Sequence, residues 1–396
     1  MPSLLDSYRR PPNDTGLGGH MSANYGDTRY IPGGDGRAPQ LDADIALMRA
    51  MHMTRIKFLV RGDTQLHAIR AFTQAGFVVG IRYYSHVSEG FAPLPENELA
   101  AYQKAGAVFC EGRINELDNE LPAAPSLDWI KLLAQYWRSH ANTCAHVGLI
   151  PLSPAFEGDR LEDWVLPMTQ YMLDRGWADQ VRGSVFAGHF RTGRYYGSDR
   201  DNSIPESVVF PPETDPHEPD DRTGFVFRSF ERWDEKLTKL LGYRPIMQST
   251  ETGIEPHECR KDLALHADLN MRMAQMQWTP SLDCCYWWIM IPGGMGGASA
   301  WLDNSLYGKR LPVVASFMQM PRPVRNGLPP EPPVIQPPDG IGVHPGYALY
   351  DYAQVQGYGK PVTDEWDNGP IREQCFERGR VWCVPPDWAH VWGIKT

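Results

Sequence analysis

Apolar residues recur in two alternating rhythms along this chain between Asn24 and Pro292. Short β-branched and aromatic runs read as buried strands, and longer stretches with apolar residues three and four apart read as amphipathic helices. The predicted strands are His20–Tyr25, Arg55–Val60, Phe77–Tyr83, Ala107–Gly112, Val147–Leu152, Gly183–His189, Pro245–Thr250 and Asp283–Met290. Helices at Asp42–Met51, Asp63–Ala75, Glu96–Ala105, Asp128–Cys144, Asp163–Asp174, Phe230–Leu241 and Arg260–Gln277 follow the first seven. Such alternation implies parallel pairing through right-handed crossovers, and eight units over about 270 residues predict a (β/α)8 TIM barrel, an α/β fold. An open doubly wound sheet would place a glycine-rich turn after its first strand. Gly16–Gly19 precedes that strand instead and lacks the G-x-G-x-x-G spacing.

Two segments break the rhythm. Asn202–Asp221 is Pro-rich and acidic, joins the sixth strand to its helix, and would overhang the face where barrel strands end. Pro321–Gly340 holds eight Pro in twenty residues and reads as an extended linker. The expected organisation is a barrel over 1–320, a linker over 321–340 and a small accessory module over 341–396, rich in Tyr, Trp and Gly.

Composition narrows the class. With 42% apolar and 11% aromatic residues the chain is not intrinsically disordered, and no apolar run approaches the ~18 residues of a membrane span. The 35 Pro and 37 Gly show no triplet period, which excludes collagen. A net charge of −10 disfavours nucleic acid and anionic membranes as partners. The seven Cys are odd in number and lack zinc-ribbon spacing, although Cys375 and Cys383 are near enough in sequence to pair. The N-terminal residues show no apolar export core, which leaves location open between cell exterior and cytoplasm. Neither a metal nor an organic cofactor is indicated. His257, Cys259 and His266 fit no standard ligand spacing, and Gly293–Gly297 lacks the Lys-Ser/Thr of a phosphate loop.

Catalytic groups of such barrels lie at the C-terminal strand ends. Glu116 follows the fourth strand in Val108-Phe-Cys-Glu-Gly-Arg-Ile-Asn-Glu116, and Glu251 follows the seventh in Gln248-Ser-Thr-Glu-Thr-Gly253. Carboxyls on opposite sides of a barrel mouth can flank a glycosidic bond, one donating a proton and the other attacking the anomeric carbon. Glu157 after the fifth strand is the rival acid, whereas Glu111 and Asp118 read as loop charges. Arg82, Tyr84 and His86 end the third strand and could line the pocket.

Asn115-Glu116, Thr250-Glu251-Thr-Gly253 and the Trp287-Trp288 pair of the eighth strand, in that order, resemble the clan A retaining glycoside hydrolases. The resemblance spans roughly residues 15–300. It implies Glu116 as general acid/base, Glu251 as nucleophile and Asn115 as a hydrogen-bond partner of the sugar 2-hydroxyl. It also implies a Trp as the floor of the sugar site. Alternation lets only one of Trp287 and Trp288 point inward, and Trp288 is favoured. His189 and Tyr195, at and after the sixth strand, would touch the nucleophile or substrate. The clan's usual Arg on the second strand would fall near Arg55 or Lys57, without an exact match. The implied activity is retaining hydrolysis of a β-linked oligo- or polysaccharide. The alternative is a non-catalytic glycan-binding barrel of the cell envelope.

The C-terminal stretch Gly357-Tyr-Gly-Lys-Pro-Val-Thr-Asp-Glu365, continuing through Phe376 and Trp382 to Ala389-His-Val-Trp-Gly-Ile394, resembles one divergent LGFP repeat. That resemblance implies a module that contacts envelope glycan, with a structural cap as the alternative.

Overall fold

The structure is a computed structural model. It describes residues 3–11, 13–22, 29–30, 38–85, 90–114, 125–191, 227–259, 261–292, 297–323 and 325, and the backbone of 366–368, 371–376, 379–384 and 387–395. The chain divides into two compact units, 9–330 and 331–396 together with 1–8.

In the larger unit the strands are β1 (Leu17–His20), β2 (Arg55–Val60), β3 (Val78–Tyr83), β4 (Ala107–Glu111), β5 (Ile150–Pro151), β6 (Phe156–Glu157), β7 (Phe186–His189), β8 (Met247–Thr252) and β9 (Leu282–Trp287). All pair in parallel in the order β5-β4-β3-β2-β1-β9-β8-β7-β6. The short β5 and β6 are two halves of one interrupted strand. A parallel bridge from Leu152 to Val185, with Ser153 N–H on the Val185 carbonyl at 2.8 Å, closes the ring between β5 and β7. The result is a (β/α)8 barrel.

Helices alternate with the strands as the apolar spacing predicts. In Leu127–Val147 the Ser126 hydroxyl caps the first turn by accepting from Trp129 N–H, and Gly148, at φ 87°, ends the helix. Ile130, Leu133, Ala134, Trp137, Ala141 and Cys144 form its buried stripe. In Ser229–Leu241 the stripe is Phe230, Trp233 and Leu237. A hairpin of β10 (Leu302–Asn304) and β11 (Gly308–Arg310), then a helix over Pro312–Gln319, complete the unit. The chain stays attached beyond them. Arg322 donates to the Asn13 carbonyl at 2.6 Å, and Arg325 donates to the carbonyls of Thr15, Met276 and Ala274. The first residues assigned to the linker are therefore pinned to the barrel's base.

The first strand corrects the sequence expectation: it is Leu17–His20, so the glycines belong to it. Bare glycine is what the packing requires there. A Cβ on Gly18 would come within 2.6 Å of the Tyr286 ring, and one on Gly80 within 3.0 Å of its hydroxyl. Tyr286 fills the barrel centre between them.

Below that ring the interior is ionic. Arg55, wholly buried, donates to Asp14 and Asp283, and Gln248 donates to Asp283 at 3.1 Å. Burial alone would raise the Asp14 carboxyl, but the charge and hydrogen bonds of Arg55, with Arg10 and Thr54, together outweigh it and hold the group down at about 2.

In the smaller unit, β12 (Trp366–Asn368), β13 (Ile371–Phe376), β14 (Gly379–Val384) and β15 (Asp387–Lys395) form an antiparallel sheet in chain order. The register sets Cys383 opposite Arg372 and Cys375 opposite Arg380. The two cysteines are thus offset by three residues, about 10 Å along the ladder, beyond the Cα separation a disulfide spans. The pairing considered from the sequence does not fit this sheet.

Candidate active site

The inward positions at the C-terminal strand ends carry charge and aromatic rings in place of the aliphatic residues used elsewhere. Register sets them level in pairs: His20 with Lys57, Arg82 with Glu111, and Glu157 with His189. Each is wholly or mostly buried, because its neighbours are the other members of the set.

Glu251, in β8, is the centre of this group and is 3% exposed. Its Oε1 accepts from Arg82 Nη1 at 3.2 Å. Its Oε2 lies 3.5 Å from Arg191 Nη2 and 3.9 Å from His189 Nδ1. Opposite charge this close favours the ionised form of a carboxyl. Arg191 also donates to Glu157 Oε1 at 3.1 Å, so one guanidinium nitrogen bridges Glu157 and Glu251. His189 stands between the same two carboxylates, 3.9 Å from Glu157.

A second group adjoins the first. Lys57 Nζ donates to Glu111 Oε2 at 2.9 Å and to the Thr250 carbonyl, the residue before Glu251. Glu111 Oε1 lies 3.9 Å from Arg82 Nε. Burial depresses the Lys57 ammonium, against the pull of Glu111 and Glu251. His20 is held well below its ordinary value by burial and by the neighbouring charges of Lys57 and Arg82.

The two Trp candidates separate by strand parity. Trp288 is half-buried, with its ring 4.8 Å from His20 in an edge contact. Trp287 points the other way, and the structure does not support the substrate contact assigned to it. It is fully buried, its N–H donates to Asn270 Oδ1 at 3.1 Å, and Trp278 and Phe317 pack on its ring.

Arg55 and Lys57 also divide. Arg55 belongs to the ionic base of the barrel, and Glu251 is met instead by Arg82, a strand further on, and by Arg191. Glu111, read from the sequence as a loop charge, is instead a buried member of the site. Arg191 had no sequence assignment. Its signal was parity, since it follows His189 by two and continues β7 through a bridge to Gly253. Asn115, Glu116, Asp118, His86, Tyr195 and the 202–221 loop lie outside the described residues.

Among the described residues, Cys110, His140 and Cys144 bring potential metal-ligand atoms within 4.8 Å of one another. They are buried, with the His140 Nε2 3.1 Å from the Cys110 carbonyl. Burial pushes the Cys144 thiol far up and His140 down to about 4.

No protein-family model matches the chain, and no curated protein resembles it in sequence. Solved structures resemble it loosely. One is a GH128 (subgroup II) endo-β-1,3-glucanase from Sorangium cellulosum, 15% identical, covering 72% of this chain and 95% of that one, with a TM-score of 0.42. Another is the endo-β-1,4-glucanase Xac0029 from Xanthomonas axonopodis pv. citri, 13% identical, covering 76% and 96%, with a TM-score of 0.41. A 4-hydroxy-2-oxoglutarate aldolase from TTHB1 is 14% identical, covering 80% and 96%, at 0.34. At these levels the likenesses say nothing of chemistry, which rests on the residues.

Proposed function

We propose that the protein is a retaining glycoside hydrolase acting on a β-linked glycoside or polysaccharide. Glu251 is the nucleophile and Glu116 the general acid/base. The observation that supports this reading is the setting of Glu251: a buried carboxylate at a barrel mouth, flanked by Arg82 and Arg191 at 3.2 and 3.5 Å. A nucleophile must be ionised before substrate arrives, and these cations favour that state. Glu157 shares Arg191 and is hydrogen-bonded to it, and Glu111 is bonded to Lys57. Both are tied to cations in the structure. The acid role falls to Glu116.

In the first step Glu251 attacks the anomeric carbon while Glu116 protonates the departing oxygen, giving a glycosyl ester on Glu251. In the second, Glu116 takes a proton from water as that water cleaves the ester. Asn115 binds the 2-hydroxyl, Trp288 stacks on a sugar face, and Arg82 and His189 hold the nucleophile. Tyr195 completes the pocket.

The small unit is proposed to hold envelope glycan. The backbone register sets position 382, a Trp, opposite position 392, also a Trp, across β14 and β15. Trp382→Ala with Trp392→Ala would then reduce co-sedimentation of the full chain with insoluble cell-wall polysaccharide.

The deciding experiment is a panel of chromogenic aryl β-glycosides, then trapping with the 2-deoxy-2-fluoro analogue of the sugar selected and peptide mapping. Label on Glu251, lost in Glu251→Gln, is expected. Glu116→Gln should turn over only substrates with good leaving groups. Glycan binding without turnover of any panel member by the parent chain would overturn the assignment and favour a binding barrel.

A further inference from the structure

Glu251 is not held by its own contacts alone. Arg82 reaches Glu251 with Nη1 at 3.2 Å while its Nε lies 3.9 Å from Glu111 Oε1. Glu111 is itself anchored by Lys57 at 2.9 Å, and Lys57 bonds the Thr250 carbonyl beside the nucleophile. Both Lys57 and Glu111 are essentially without solvent contact. A Lys in the middle of the buried strand Arg-Ile-Lys-Phe-Leu-Val is costly to bury, and the interior offers it one carboxylate in hydrogen-bond contact among the described residues.

We propose that Lys57 and Glu111 are positioning residues for the nucleophile: a buried counter-charge pair that sets how strongly Arg82 serves Glu251. The inference rests on the hydrolase reading of this site and extends it to two residues that touch no substrate. Glu111 competes with Glu251 for Arg82, and Lys57 restrains that competition by neutralising Glu111. Lys57 also adds its own charge near Glu251. Removing either member therefore acts on Glu251 in opposite senses. Without Lys57, an uncompensated Glu111 anion draws Arg82 away and repels Glu251, so the nucleophile ionises at higher pH. Without the Glu111 charge, Arg82 and Lys57 both turn to Glu251, which ionises at lower pH.

The other groups facing Glu251 bear on both variants equally. Among the described residues they include His189 and Arg191 on and after β7, Glu157 on β6, and Glu255, which lies 3.9 Å from Arg191. Among the described residues those facing Lys57, besides Glu111, Glu251 and Arg82, include His20 on β1 and the Tyr286 ring on β9 at 5.8 Å.

The test measures the rate of covalent labelling by the 2-deoxy-2-fluoro aryl glycoside against pH, by intact mass, for the full-length parent, Lys57→Met, Glu111→Gln and the double variant. The acidic midpoint should move up by about one unit in Lys57→Met, down in Glu111→Gln, and return towards the parent in the double variant. A purely structural role would slow labelling in all three without displacing the midpoint, and that result overturns the proposal. Should Lys57→Met fail to fold, the downward shift in Glu111→Gln and its reversal in the double variant decide the matter. A parent chain that takes no label overturns the hydrolase reading itself. A labelled parent with unshifted variants overturns only the role of this pair.

Discussion

Arg55 offers the sharpest separation of stability from chemistry. Its guanidinium is completely buried and links Asp14 and Asp283 at the base of the barrel, remote in register from Glu251. Arg55→Met preserves length and removes the charge. Among the described residues the two buried carboxylates then keep one cation within ion-pair distance, Arg10, 3.3 Å from Asp14 and 3.1 Å from Asp283, beside the neutral donors Thr54, Gly16 N–H and Gln248. Removing one partner of a buried ionic group costs about 3–5 kcal/mol. The pH dependence gives a second, independent magnitude. Asp14 falls from 3.8 to about 2 on folding, which is about 2.5 kcal/mol of stability. A depressed carboxyl contributes fully above its unfolded value and loses that contribution as pH falls towards its folded value. The relevant window is therefore between about pH 5 and pH 2. At pH 3 roughly half of the Asp14 contribution has gone, so the penalty of Arg55→Met should be about 1 kcal/mol smaller at pH 3 than at pH 7. Urea unfolding followed by Trp fluorescence, at both pH values, measures it. An Arg55→Met transition midpoint equal to the parent's at pH 7 would refute the reasoning, as would a penalty that grows on acidification.

Further outcomes follow from the same geometry. Trp287→Ala should cost about 3–5 kcal/mol in urea unfolding, because a fully packed ring is lost from the barrel–helix interface. Trp288→Ala should spare stability by comparison and raise KM in steady-state kinetics on an oligosaccharide. Arg191→Met should lower kcat/KM for the aryl glycoside by about tenfold or more, since it leaves Glu157 and Glu251 facing each other without their shared cation. Burial pushes the thiols of Cys144 and Cys284 far above the usual range, so a thiol reagent at pH 8 should leave them unmodified until the chain is unfolded. Mass spectrometry of labelled peptides reads that directly.

The sequence by itself determined the α/β barrel, because a strand and a helix leave different apolar periods and eight such pairs have few ways to close. It also determined which strand ends would carry carboxyls, since chain order fixes those ends. Parity alone separated Trp288 from Trp287. Local patterning was weakest where glycine replaced a β-former: Gly18 and Gly19 read as a loop, and only the tertiary packing, the Tyr286 ring against Gly18 and Met290 against Gly19, explains why a strand needs them bare. Only the tertiary structure decided the ionic partners. Arg55 and Lys57 on β2, Arg82 on β3 and Arg191 beyond β7 sit far in sequence from most of the carboxylates they meet, and which cation meets which carboxylate depends on strand register, which no local pattern encodes. That register turned Glu111 from a loop charge into the anchor of Lys57, sent Arg55 to the base of the barrel, and gave Glu251 cations from β3 and from the end of β7. Charge in a closed barrel is paired through space, and burial makes those pairings obligatory.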